Sequence, residues 1–442
     1  MITFDKAQQY ILDIPKFAGK HTLEDTGRLL DMLTGGNRNS KIIHVAGTNG
    51  KGSVCAYLRS ILAESGASAG MFISPHLETI RERICIGNEM ISEEDFVKVF
   101  EQVLEVVKED DRQRVSMGHK PKSSHPSYFE YLFLMAMTYF AQKSPEYIIL
   151  ETGLGGRLDA TNSIKRPTVC VITEIGYDHM QYLGDTLEEI AGEKAGIMKP
   201  EVPVVLMDKR RSITEILKEY ADKAGSCVHI VRKDDISEVN IGNKKIDFSF
   251  HTGYYNYVGL SLSTTALYQT ENAALAVCAA GILGKEDARI KEESIRRGLM
   301  EAYWPGRMEE ICPGIYMDGA HNEDGIEAFL DSVRSSRCKG RRLLLFGVVA
   351  DKQYEKMIRQ IADAGLFSEA AVTVLETDRS ASLDKLREIW GQYNIYCSFH
   401  QNAKEAYHHL LSDRKEADNI YIAGSLYLIG QLKTLMRRIP DD

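Results

Sequence analysis

Short, β-branched apolar runs alternate with amphipathic stretches of helical period along most of this chain. That pattern predicts an α/β fold with a largely parallel sheet. Lys41 to Ala46 reads as a buried strand, and Val54, Tyr57, Leu58, Ile61 and Leu62 then recur at helical spacing. Further strands are expected at Tyr147 to Leu150, ending on Glu151, at Val169 to Thr173 and at Val204 to Met207. Thr186 with Glu189 three residues later has the form of a capping box and starts a helix. Val239 to Phe250, with Gly242-Asn243 near its centre, predicts a β-hairpin, and Val258, Leu260 and Leu262 alternate like a further strand. This antiparallel patch is expected at the edge of the first domain. A helix is expected from about Tyr268 to Leu283, and the charged residues from Lys285 to Arg297 read as a solvated helical face.

Beyond Tyr303-Trp304-Pro305-Gly306 the alternation restarts, with strands near Ile315, Leu343 to Phe346, Val372 to Leu375, Ile395 to Phe399 and Ile420 to Ala423. The pattern therefore predicts two domains, 1–302 and 303–442, the second a smaller α/β unit. A chain of 442 residues with 44% hydrophobic and 26% charged residues is ordinary for such a fold. The net charge of -9 argues against a general nucleic-acid binder, which needs a positive field to displace counterions. Eight cysteines stand singly, without a CxxC pair, as expected of reduced thiols in the cytoplasm. Met1 to Lys20 has no signal-peptide core, and no apolar run approaches the ~18 residues of a membrane span. A cytoplasmic protein without nucleic-acid or membrane partners is expected, and a monomer.

The candidate chemistry begins at Gly47-Thr48-Asn49-Gly50-Lys51-Gly52-Ser53, between the first strand and its helix. A glycine-rich turn there aims backbone N–H groups and a helix N-terminus at one point, which suits a polyphosphate. Lys51 adds a mobile positive charge, and the Ser53 hydroxyl suits a phosphate-bound magnesium ion. The run departs from GxxxxGK[ST] because Gly52 separates Lys51 from Ser53, which weighs against common GTPase switches and motor ATPases. Glu151, at a strand end, suits the acidic partner of such a metal, and a second glycine-rich loop runs from Thr152 to Asn162.

Together with Ser74-Pro75-His76-Leu77, Glu82-Arg83-Ile84, Ser127-Tyr128-Phe129-Glu130, Gly153 to Asn162, Asp178-His179, Tyr182 to Leu187, Glu193 to Ile197, Trp304 to Arg307, Asp318 to Asn322 and Gly424 to Tyr427, these residues resemble the folylpolyglutamate synthase family of Mur-type amide ligases. The resemblance spans about residues 20 to 430. It implies an N-terminal P-loop ATPase domain, mostly parallel with a small antiparallel patch, joined to a Rossmann-like C-terminal domain. It also implies ATP-dependent addition of L-glutamate to a folate through an acyl phosphate, and in some members to dihydropteroate.

The resemblance assigns roles as follows. Ser53 and Glu151 would hold one magnesium, and Ser74, His179 and Glu151 a second. Lys194 matches a carbamylated lysine, although its neighbours Glu188, Glu189 and Glu193 also suit an exposed, ion-paired side chain. Lys51, Lys194, His179 and Arg307 would be catalytic; Asn272 would contact the base, Arg307 the phosphates and Asp318 the ribose, with His321 beside the base. Ser127, Phe129, Glu130, Asp159 and Ala160 match the pterin side, where Phe129 suits core packing as well as stacking. Thr22, Thr152, Tyr177, Met180, Ala266, Tyr268 and Gln353 depart from the usual pattern. Two alternatives stand beside this reading: a Mur-type cell-wall ligase, disfavoured by the SPHL and SYFE runs and the lack of an evident UDP-binding domain, and a nucleotide-controlled regulatory binder without turnover.

Overall fold

The computed structural model describes residues 2–15, 21–36, 39–116, 125–242 and 244–437. Its first sheet has eight strands: β1 (Lys41–Ala46), β2 (Ala69–Phe72), β3 (Ile84–Ile86), β4 (Glu89–Met90), β5 (Tyr147–Glu151), β6 (Val169–Ile172), β7 (Val204–Asp208) and β8 (Val228–Arg232). Their order is β4-β3-β2-β5-β1-β6-β7-β8, parallel except for β3 and β4 at one edge. β1 is a central strand and carries apolar side chains on both faces, as a doubly covered parallel sheet requires. Ile43 and Val45 share a core with Val54, Leu58 and Ile61 of the helix Lys51–Glu64 and with the helix Gln269–Leu283. Ile42 faces the opposite layer, with Tyr131, Phe133 and Phe140 of the helix Tyr128–Lys143. The helix Gln269–Leu283 is apolar nearly all round, so it is buried rather than amphipathic.

Strands β9 (Ile236–Ile241), β10 (Ile246–His251) and β11 (Asn256–Leu262) form the expected hairpin and its neighbour. They make a separate three-stranded sheet instead of extending the edge of the first. Phe248, Phe250, Leu260 and Leu262 point into the core around the helix Gln269–Leu283. Asn243 lies outside the described residues.

The second half contributes β12 (Glu309–Cys312), β13 (Ile315–Met317), β14 (Arg342–Phe346), β15 (Glu369–Thr373), β16 (Tyr396–His400) and β17 (Asn419–Ala423). They run β12-β13-β17-β14-β15-β16, with only β12 antiparallel. β15 starts three residues before the expected Val372 because Glu369 is buried in strand geometry, its carboxylate 2.7 Å from His409 Nε2. Hydropathy alone cannot see a paired acid as a strand residue.

Apolar packing stitches the two halves together around Ala266, Leu77 and Trp304. Ala266, just before the helix Gln269–Leu283, is fully buried in the core of the second sheet, and the Leu267 amide donates to Ser332 Oγ at 3.1 Å. Leu77 packs on the far face of that sheet, its carbonyl 2.2 Å from where a Cβ on Gly430 would stand. Trp304 lies against the first core, its Cζ2 2.6 Å from where a Cβ on Gly52 would stand.

Candidate active site

The phosphate loop leaves β1 at Ala46 and enters the helix Lys51–Glu64 at Gly50. Gly50 has φ +87° and no side chain caps the helix, so its first amides stay available to a ligand. At Gly47, with φ +147°, a Cβ would stand 1.8 Å from Thr173 Oγ1. Thr173 Oγ1 donates to the Asn49 carbonyl at 2.6 Å, and the Thr48 amide to the Glu174 carbonyl at 2.7 Å, which ties the loop to the end of β6.

Lys51 Nζ donates to the carbonyls of Gly47 and Thr48, both at 3.1 Å. Lys194 Nζ donates to the same Gly47 carbonyl at 2.7 Å. Lys194 is buried and not an exposed salt-bridge lysine; burial, with the charge of Lys51, pulls its ammonium down to about 7. Near neutral pH its amine is thus partly unprotonated, the form that reacts as a nucleophile.

Parallel pairing sets Val45 opposite Glu151, so the strand end carries Glu151 to the loop. Its carboxylate accepts from the Ser74 amide at 3.1 Å and is buried, which raises its proton affinity. Ser53 Oγ accepts from Gln269 Nε2 at 3.2 Å. His179 has φ +51° and caps the short helix Met180–Leu183. Burial lowers its imidazole to about 4, so it is neutral and free to ligate. Ser53 and Glu151 are buried, Ser74 and His179 partly so, and all four line one cavity; hydroxyl and carboxylate oxygens with a neutral imidazole are a donor set that fits divalent cations.

From the second half, Arg307, Asp318 and His321 face the same space, and Asn272 closes it beside Gly50, where a Cβ would stand 2.2 Å from Asn272 Oδ1. Asp318 accepts from Tyr268 Oη at 2.6 Å, Met308 N at 3.0 Å and Ala320 N at 2.8 Å, which leaves Oδ1 with one acceptor site in hand. His321 Nε2 stands 3.6 Å from Asp178, which also binds Lys352 Nζ. The residues to which the resemblance assigns site roles all line one cavity of about 650 Å³ between the two halves.

Two Mur ligase families match the chain, the middle domain over residues 45–280 and the glutamate ligase domain over 306–426. A Bacillus subtilis (strain 168) relative, dihydrofolate synthase/folylpolyglutamate synthase, is 32% identical over 98% of this chain and 99% of its own. The chain belongs to the folylpolyglutamate synthase family. Escherichia coli FolC in complex with DHPP and ADP superposes with a TM-score of 0.85 at 26% identity, over 99% of this chain and 98% of that one. A Mycobacterium tuberculosis folylpolyglutamate synthase complexed with ADP and AMPPCP gives 0.87 at 26% identity, over 99% of both chains. As a member of this family the chain is an ATP-dependent ligase.

On the other side of the cavity of this folylpolyglutamate synthase family member, Ser127 and Glu130 form a capping box at the start of the helix Tyr128–Lys143. Glu130 Oε2 accepts from the Ser127 amide at 2.6 Å, and Oε1 stands 3.7 Å from His21. Asp159 is likewise turned inward, accepting from the amides of Gly153, Leu154 and Thr161 at 2.8, 2.9 and 3.0 Å. Asp159 thus shapes its loop and offers a ligand little free oxygen, whereas Glu130 has only His21 opposite Oε1. Phe129 lies against Phe72 (ring centroids 5.4 Å) and beside Gly153, where a Cβ would meet its ring at 2.6 Å. Of the departures, Thr22 caps the helix Leu23–Thr34 in a capping box with Asp25, and Tyr268 supplies the donor to Asp318.

Two further motif residues, Arg83 and Asn322, gain surroundings in the fold that their motifs do not show. Arg83 lines the cavity, is buried, donates to His76 Nδ1 at 2.8 Å and stacks over Tyr128 at 5.4 Å. Among the described residues no carboxylate lies within ion-pair distance of it, a fact that no sequence signal carries. Asn322, the last residue of the Asp318 to Asn322 run, reaches across to the phosphate loop.

Proposed function

We propose that this ligase joins the amine of L-glutamate to a carboxylate of a folate, at the expense of ATP. The observation that carries this reading is the convergence of Lys51, Lys194, Glu151 and Arg307, from both halves of the chain, around the free helix amides at Gly50. A carboxylate is a poor electrophile, so its oxygen first takes the γ-phosphoryl group of ATP, releasing ADP and leaving an acyl phosphate. The unprotonated amine of glutamate then attacks the acyl carbon, phosphate leaves with the bonding pair, and the amine sheds a proton.

Lys51 and the loop amides hold the β- and γ-phosphates, and Arg307 spreads a fixed positive charge over the transferring group. Ser53 with Glu151 would hold one magnesium, and Ser74, His179 and Glu151 a second, supplying charge neutralisation for the phosphoryl oxygens. A carbamate on Lys194 converts a buried cation into an anion that suits such ions; an amine brought down to about 7 supports its formation. Arg83, a buried guanidinium lining the cavity with no carboxylate within ion-pair distance among the described residues, is suited to a carboxylate of the incoming glutamate. Asn272, Asp318 and His321 serve the nucleoside, Asp318 through the acceptor site that Oδ1 keeps. Phe129 and Ala160 wall the pterin side, while Ser127, Glu130 and Asp159 hold that wall in shape. A division near Tyr303 into an ATPase domain and a ligase domain, and action as a monomer, accord with this scheme.

The test incubates the protein with ATP, magnesium and glutamate, offering tetrahydrofolate and dihydropteroate in separate reactions. Mass-detected addition of glutamate, with phosphate release that needs both co-substrates, is the expected result. Nucleotide binding with no glutamate addition and no phosphate release would instead point to a nucleotide-controlled regulatory binder without turnover.

A further inference from the structure

Asn49 lies in the phosphate loop and Asn322 at the start of the helix Glu323–Ser335 in the second half of the chain. Their side-chain amides pair reciprocally: Asn49 Nδ2 donates to Asn322 Oδ1 at 3.2 Å, and Asn322 Nδ2 to Asn49 Oδ1 at 3.0 Å. Asn322 is 5% exposed, so the pair is shielded from competing water. Its Oδ1 also caps its own helix through the Gly325 amide at 2.8 Å, and its Nδ2 lies 3.4 Å from Asp178 Oδ2, beside His179. One side chain thus touches the phosphate loop, the His179 loop and the second half at once. The Asn49 backbone is fixed independently, by Thr173 Oγ1 and by a bridge to Glu174, so its amide is aimed at Asn322 by the first sheet.

We propose that Asn322 is a positioning residue: by pairing with Asn49 it registers the second half of the chain on the phosphate loop, and so sets Arg307 and His321 over the nucleotide. This rests on the ligase reading of the same cavity. Two amide hydrogen bonds lock both a distance and an orientation, and Arg210 Nη2, donating to Asp324 Oδ1 at 2.6 Å, adds a further tie along the same seam. A nucleotide that shifts the loop backbone at Asn49 is therefore felt in the second half through this pair.

The test is a double-mutant cycle with Asn322→Ser and Asn49→Ala. Serine keeps the helix cap but is too short to reach Asn49 or Asp178, so folding and registration are separated. Each single variant is expected to keep its melting temperature within about 2 °C, to lose about tenfold in kcat and to bind ADP about five- to tenfold more weakly. The double variant should be no worse than about twofold beyond the poorer single. Multiplying losses in the double, or single losses under about twofold, would overturn the proposal. So would a lowered melting temperature with kcat and ADP affinity unchanged, which marks a merely structural contact. The ADP cycle needs no ligation: a wild-type protein that binds ADP but never ligates sinks the function, while additivity in ADP binding sinks this pairing.

Discussion

Gly52, the residue that spoils the common P-loop spacing, can be tested by adding one methyl group. In Gly52→Ala the new Cβ would stand 2.6 Å from Trp304 Cζ2, 3.0 Å from Cε2 and 3.2 Å from Nε1. Ordinary carbon contacts need about 3.5–4.0 Å, so the indole or the loop must yield by about 1 Å. Overpacking of this kind costs about 1–3 kcal/mol, and alanine in a helix returns about 1 kcal/mol over glycine. The net loss of stability is therefore small, about 2 kcal/mol or less, and the melting temperature should fall by only a few degrees. Catalysis is far less forgiving, because a misplacement of about 1 Å can cost about a hundredfold. Whichever side moves, a catalytic group moves with it: Lys51 adjoins Gly52, and Arg307 lies three residues beyond Trp304. The assay is initial-rate phosphate release alongside thermal melting, for Gly52→Ala, Trp304→Leu and the double variant. Gly52→Ala should lose about a hundredfold in kcat, and Trp304→Leu should restore at least about tenfold of it. Wild-type turnover in Gly52→Ala, or a double variant as impaired as that single, would refute the steric argument.

Lys194 gives a pH test. Its folded value of about 7 lies below the ordinary 10.5, so the unfolded chain binds more protons between them and stability rises with pH through that window. In carbonate-free buffer, Lys194→Met should therefore raise the melting temperature more at about pH 6 than at about pH 10, and equal shifts would contradict the burial cost. Glu151→Gln should lower kcat by about a hundredfold or more and flatten the magnesium dependence of ADP binding measured by calorimetry; an unaltered magnesium titration would remove Glu151 from the metal site. Arg83→Met should raise the KM for glutamate at least about thirtyfold without weakening ADP, and an unchanged KM would exclude the carboxylate contact.

The sequence was most informative where local chemistry and fold agree. The strand Lys41–Ala46, the glycine loop and its helix were legible because periodicity, φ-permissive residues and apolar spacing all point the same way. The order of strands around β1 was not, since β5 reaches its place beside β1 only through contacts about a hundred residues apart. Glu369 escaped notice for another reason: its partner His409 lies forty residues on, and without it an acid argues against a strand. Ser127, Glu130 and Asp159 were found as motif residues, yet motifs do not say whether a carboxylate faces a ligand or its own backbone. Arg83 is the converse case: its neighbour Glu82 turns to the amides of Leu77, Glu78 and Thr79, and that among the described residues no carboxylate comes within ion-pair distance of the guanidinium is visible only in three dimensions.

The burial of Ala266 in the second sheet's core, and of Leu77 on its far face, bears on how the chain comes apart. The second half does not own a complete interior: cut at Tyr303, the C-terminal piece would lose the plug that Ala266 supplies and expose the apolar surface Leu77 covers. Melting should accordingly follow a single cooperative transition, not one for each sheet. Chimeras that exchange the C-terminal half between relatives should fold only when the 264–268 and 74–77 segments travel with it. Inheritance in this chain is thus tied across the boundary, and the catalytic cleft lies along a seam that cannot be opened without loosening both cores.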